Sequence, residues 1–125
     1  LTQPRILENE PIINEPLNIS TQTLNFLKES MRMTVEEGTG KKLKQLANME
    51  IFAKTGTCQT SHRSKRKLNK KYLEHAWFIC YAQYKEYEPM ILIILIENVG
   101  TAKFATRMAK NFFVEYCNLK NLLTQ

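Results

Sequence analysis

Residues 51–59 read IFAKTGTCQ and predict a strand that contains the quartet Lys54-Thr55-Gly56-Thr57. Alternation along a strand sends Lys54 and Gly56 to one side and Thr55 and Thr57 to the other. An ammonium and two hydroxyls set close together suit a carboxylate or a phosphate. Glycine removes a side chain where a ligand must lie against the backbone. Four residues alone are read more simply as a strand-edge turn with a solvated lysine, so the flanks have to decide.

Downstream, HAWFICYAQY (75–84) is apolar on both alternating sides, and MILIILIE (90–97) repeats the pattern. The short connection from Tyr84 to Pro89 predicts an antiparallel hairpin over 75–97. Strands apolar on both sides belong in a sheet covered on both faces. Upstream, residues 20–37 predict a helix, with Ser20 as N-cap, a stripe of Leu24, Leu27, Met31 and Val35, and Gly38 to end it. Residues 39–49 are a polar connector with room for a helical turn. Residues 1–19, with Pro4, Pro11 and Pro16, are an extended lead-in. The last helix is expected over 101–117, its row of Phe104, Met108, Phe112 and Tyr116 packing on the sheet with Ala105 and Ala109 beside it. The order helix, strand, strand, strand, helix gives an α/β chain of the α+β type, with about three antiparallel strands flanked by helices. A sheet apolar on two faces needs more cover than these helices offer, so part of the fold is expected to lie outside these residues.

Charge is local. The chain of 125 residues carries 18 Lys and Arg against 12 Asp and Glu, a formal +6. Six of the bases fall within SHRSKRKLNKKY (61–72), and removing them leaves twelve bases against twelve acids. Attraction to an anion therefore rests on one loop, 60–74, read first as a solvated segment and second as a contact for anionic headgroups or polymers. Nucleic-acid modules interleave aromatics for stacking, and only Tyr72 is present here, so nucleic acid is not an expected partner. Cys58, Cys80 and Cys117 are too few for a disulfide framework and lack the paired histidines of a zinc site. Cys80 is expected in the core. Cys58 is either a small packed residue or a thiol activated by Lys54. His62 belongs to the solvated loop, and His75, at a strand start, is expected to be a structural hydrogen-bonder. No apolar run, Met90–Ile96 included, exceeds seven residues, against about 20 for a membrane helix.

Taken together, EIFAKTGTCQ, the polar loop, HAWFICYAQY, PMILIILIENVG and an alanine-containing helix resemble the C-terminal part of class B penicillin-binding protein transpeptidases, over roughly Thr21 to Tyr116. The superfamily pairs Lys-Thr-Gly with Ser-x-x-Lys and Ser-Asp-Asn motifs. KTGT with Gln59 two residues on, HAWF, and a strand ending in Glu97-Asn98 is far more specific than Lys-Thr-Gly alone. Within the class it is most similar to elongation-type enzymes of rod-shaped Gram-negative bacteria.

The resemblance implies a penicillin-binding, β-lactamase-like serine transpeptidase fold and a reaction through an acyl-serine. Lys54 would help set the field that activates the serine. Thr55 and Thr57 hydroxyls would bind the carboxylate of a D-Ala-D-Ala stem peptide or a β-lactam, with Gly56 between them. The Thr57 backbone N–H would form half of the oxyanion hole. No cofactor and no metal is implied. The setting implied is a periplasmic domain anchored in the inner membrane by a segment outside these residues. Its implied partners are the upstream part of the same protein, a glycan polymerase and a rod-complex scaffold protein.

Departures matter. Ala53 stands where the family often has glycine. The literal Ser-x-x-Lys here is Ser64-Lys65-Arg66-Lys67, too charged to be the buried helix start that the chemistry needs. No Ser-x-Asn occurs, so the chain alone is expected to be inactive. Asp-Lys-Thr-Gly-Thr of P-type ATPases is excluded by Ala53. A P-loop at Gly38-Thr39-Gly40-Lys41-Lys42 fails at Val35 and Lys42. A β-lactamase-like hydrolase, a β-lactam sensor domain and a non-enzymatic basic binding module remain the alternatives.

Overall fold

The structure, a computed structural model, describes residues 9–46 and 48–122. Helix α1 spans Thr21–Glu36 and is followed by a 3-10 turn at Lys41–Leu43. Strand β1 spans Met49–Cys58, and two further 3-10 turns, Arg63–Lys67 and Lys70–Tyr72, lead to β2, His75–Tyr84. Strand β3 is Met90–Ile96 and helix α2 is Lys103–Leu122. Of the lead-in expected over 1–19, residues 1–8 lie outside the described residues; residues 9–19 run exposed and without helix. The fold is α+β, with one three-stranded antiparallel sheet ordered β1-β2-β3 and two helices.

Register follows from the hairpin and fixes which side chains share a face. Lys54 lies opposite Ile79, which lies opposite Ile93. Phe52, Tyr81 and Ile91 form the next row, and Gly56, Trp77 and Leu95 the row on the other side. Directly paired residues project to the same face, so these three rows make one surface. The opposite face holds Ile51, Ala53, Ala76, Phe78, Cys80, Ala82 and Ile94, all buried. Val35, Leu43, Ala105, Ala109 and Phe113 complete that core.

Two helical stripes differ from expectation. On α2 the buried residues are Ala105, Thr106, Ala109 and Phe113. The row of Phe104, Met108 and Phe112 points away from the core, with Phe112 43% exposed. Small side chains let the helix backbone approach the sheet closely, and Phe113 then fills the space beyond them, so closeness of approach outweighs bulk. On α1 only Val35 is buried, and Leu24 and Leu27 are exposed. The helix meets the sheet along β1, an outer strand, and joins the core through its last turn.

The shortage of cover expected for a sheet apolar on both faces is visible in the exposures. Among the described residues, one face is covered and the other is open: Trp77 and Ile79 are each 41% exposed, Ile93 57% and Ile91 69%. The strands are apolar on both sides, and the packed core of α1 and α2 lies against one of them, while Met31 of α1 reaches only the Phe52 and Tyr81 end of the other.

Local caps explain the element ends. Ser20 accepts the Thr23 N–H through its hydroxyl at 3.1 Å, satisfying a donor that the first turn cannot. Lys44 pairs with Glu36 at 2.7 Å, tying the turn after α1 back to the helix and holding the Glu36 carboxyl below its ordinary range.

Candidate functional site

Thr55 and Thr57 fall in the row of Ile51 and Ala53, so β1 turns its covered face toward α1 and α2 as far as Ala53 and changes to hydroxyls beyond it. Lys54 and Gly56 fall on the open face, beside Ile79 and Trp77. β1 is an outer strand among the described residues. A ligand lying along its free edge therefore meets side chains from both faces, and alternation does not separate the lysine from the threonines.

The Lys54 ammonium is exposed and donates to the Thr55 carbonyl at 2.6 Å. The Thr55 hydroxyl lies 2.6 Å from that of Thr39, sixteen residues earlier. A Cβ added to Gly56 would stand 3.3 Å from Cβ of Trp77, so the glycine leaves the strand bare beside the indole. Thr57 is exposed. Charge, two hydroxyls and a bare stretch of backbone thus lie within four consecutive residues of one strand. Together they can hold an anionic group and an extended chain.

The basic segment that follows is ordered at its root. Thr60 donates to the Leu73 carbonyl at 3.1 Å and Ser61 to that of Tyr72 at 3.0 Å, closing the two limbs on each other. Arg66 forms an ion pair with Glu74, whose carboxylate is buried. The Glu74 carbonyl accepts the Val99 and Gly100 N–H groups at 3.0 and 2.9 Å, pinning the segment to the turn after β3. The Asn98 side-chain amide, turned to donate, reaches the Lys71 carbonyl at 2.8 Å. Lys65 and Lys71 stand over the Tyr72 ring at 5.7 and 5.1 Å from its centroid. Residues 62–71 are all exposed, so the segment is solvated but not shapeless.

His75 accepts the Asn98 N–H through Nδ1 at 2.9 Å, a structural bond that joins the start of β2 to the end of β3. His62 caps the turn Arg63–Lys67 and lies 2.8 Å from the Ser64 hydroxyl. Ser64 itself is exposed in that turn and has none of the burial that an activated nucleophile requires. Cys58 is exposed rather than packed, because it follows Thr57 at the end of β1, past the cover of the helices. Cys80 is buried in the core and its thiol is pushed up to about 11 by that burial. Among the described residues no group of three His, Cys, Asp or Glu side chains could hold a metal ion, and no helix is long and apolar enough to cross a membrane.

A hollow of about 600 Å³ lies at the other end of β1, lined by Asn48, Met49, Glu50, Gln83, Lys85 and Glu86. It is open and distant in register from Lys54, so its size says nothing about the quartet. Sequence reading placed Lys54, Thr55, Gly56 and Thr57 on one strand but left Thr39 in a connector. The available signal was a threonine between two glycines directly after a helix.

The family model for the penicillin binding protein transpeptidase domain matches residues 1–116. Neither the curated proteins nor the solved structures give a match to the chain.

Proposed function

Since the chain belongs to the penicillin-binding protein transpeptidase domain family, we propose that it is the C-terminal part of a class B, elongation-type D,D-transpeptidase and supplies that enzyme's KTGT wall. The observation that carries this reading is the placement of Lys54 on the open apolar face of the sheet, beside Ile79 and Trp77. An exposed surface of this composition calls for cover by another segment. The occupant proposed is the upstream part of the same protein, which brings the serine and its lysine to face Lys54.

In the reaction, the serine oxygen attacks the penultimate D-Ala carbonyl carbon of a stem peptide. The peptide bond to the terminal D-Ala breaks, and that residue leaves as its amine. The amine of a neighbouring stem peptide then attacks the acyl-serine, forming the cross-link and releasing the serine. Lys54 stabilises negative charge on the serine oxygen. Thr55 and Thr57 hydroxyls hold the terminal carboxylate, and the Thr57 N–H donates to the carbonyl oxygen as it becomes an oxyanion. A β-lactam enters the same path through its strained amide and its carboxylate. The site is periplasmic and the protein membrane-anchored in this reading, working beside a glycan polymerase and a rod-complex scaffold protein.

The test is covalent labelling of the full-length protein by a fluorescent penicillin, read by gel and intact mass, with Lys54→Ala alongside. A stable label on a serine upstream of these residues, formed much more slowly by the variant, is the expected result. Rapid release of the label would identify a β-lactamase-like hydrolase instead. A folded wild type that takes no label would overturn the reading and leave the basic segment as the functional surface.

A further inference from the structure

The Gly38-Thr39-Gly40 turn has no part in a P-loop, yet its geometry is tightly specified. The Gly38 N–H donates to the Met33 carbonyl at 3.1 Å and the Gly40 N–H to that of Thr34 at 2.9 Å, so the chain folds back onto the last turn of α1. A Cβ on Gly38 would stand 2.9 Å from the Thr34 oxygen and 3.0 Å from its Cα. One on Gly40 would stand 3.0 Å from the same oxygen. These neighbours are backbone and cannot swing aside. Neither glycine has the left-handed conformation, so both are needed for space rather than for φ. Beyond the turn, Leu43 is fully buried in the core, and the Lys44–Glu36 pair closes the loop on the helix. Thr39 is thus fixed from both sides, and its hydroxyl sits 2.6 Å from that of Thr55.

Each hydroxyl has one proton to donate. If Thr55 donated to Thr39, it would present only lone pairs to an anion. If Thr39 donates to Thr55, the Thr55 proton is free to point at the ligand. Bound carboxylate therefore selects the second direction, and the donated bond polarises Thr55 toward the anion. We propose that Thr39 is a positioning residue for the carboxylate subsite: its hydroxyl donates to Thr55 Oγ1 and so aims the Thr55 proton at the substrate carboxylate. The inference rests on the transpeptidase reading, and it adds a residue from outside the KTGT strand to that site.

The experiment measures acylation of the full-length protein by a penicillin with its free carboxylate and by the methyl ester of the same compound. Wild type, Thr39→Val and Thr39→Ser are compared. Loss of one hydrogen bond of ordinary strength predicts that Thr39→Val slows the free acid by roughly three- to tenfold. The ester, which has no anion to aim at, keeps its rate within about twofold on the same argument. Thr39→Ser restores the free-acid rate. Equal slowing of acid and ester by Thr39→Val, or no rescue by Thr39→Ser, overturns the proposal while leaving the transpeptidase reading standing. Should Thr39→Val not fold, Thr39→Ala at the same exposed position carries the same comparison. A folded wild type labelled by neither compound overturns both.

Discussion

Arg66 and Glu74 form an ion pair across the root of the basic segment, with the carboxylate buried and the guanidinium partly in water. One of the six cations of that segment is therefore spent on fold, and the others face solvent. Removing one member of a buried pair leaves the other charge without compensation, at a cost of about 3–5 kcal/mol, with the lower end apt here because Arg66 is partly exposed. Arg66→Ala is expected to lose about 3 kcal/mol in urea unfolding of the full-length protein. The double variant Arg66→Leu with Glu74→Leu is expected to lose much less. Equal losses would mean that the pair does not hold the segment.

Ala109 and Phe113 divide the contact between α2 and the sheet into close approach and filled space. Phe113→Ala should cost about 3–5 kcal/mol, as for other buried phenylalanines. Ala109→Leu should cost about 1–3 kcal/mol through overpacking. Denaturant midpoints check both, and a neutral Ala109→Leu would show that the helix stands further from the sheet than described.

Gly38 is expected to be more sensitive than its exposure suggests. Gly38→Ala places a methyl 2.9 Å from the Thr34 carbonyl oxygen, and the backbone must shift to relieve it. A loss of about 1–3 kcal/mol is predicted from overpacking of this kind, together with slower acylation by a carboxylate-bearing penicillin as Thr39 moves off Thr55. A stable variant with unchanged acylation would refute the steric account.

The three thiols should separate by alkylation of the native protein. Cys58 is exposed and reacts first; Cys117, whose thiol is raised by burial, reacts more slowly; Cys80 reacts only on unfolding. Cys80 also sets a pH dependence. Its thiol ionises near 9.0 when unfolded and at about 11 in the fold. Its contribution is complete below pH 9 and is lost as pH rises through about 11. Cys80→Ala should flatten the decline in stability over that interval, measured by urea unfolding at stepped pH.

Much of the architecture could be read from local pattern. Ser20 marks where α1 begins because a hydroxyl there satisfies a donor whatever the tertiary structure. The hairpin of β2 and β3 is visible because two apolar runs flank a short polar link. What pattern could not supply is the side on which a helix packs. On α2 the bulky row of Phe104, Met108 and Phe112 outweighs Ala105 and Ala109 in any count of hydrophobicity, yet the alanines face the sheet. Closeness of approach is a property of two surfaces together, and one sequence stretch shows only one of them. The site divides in the same way. Lys54 to Thr57 are contiguous and legible, whereas Thr39 reaches Thr55 only because the turn doubles back on α1.

Strand β3, MILIILI, forms one margin of the three-stranded sheet. Seven uncharged residues of high β-propensity, without proline, form a template on which a second copy can add strand to strand. If the upstream part covers the sheet as proposed, cleavage or truncation that parts the two should yield a species prone to self-association, seen as concentration-dependent growth in light scattering.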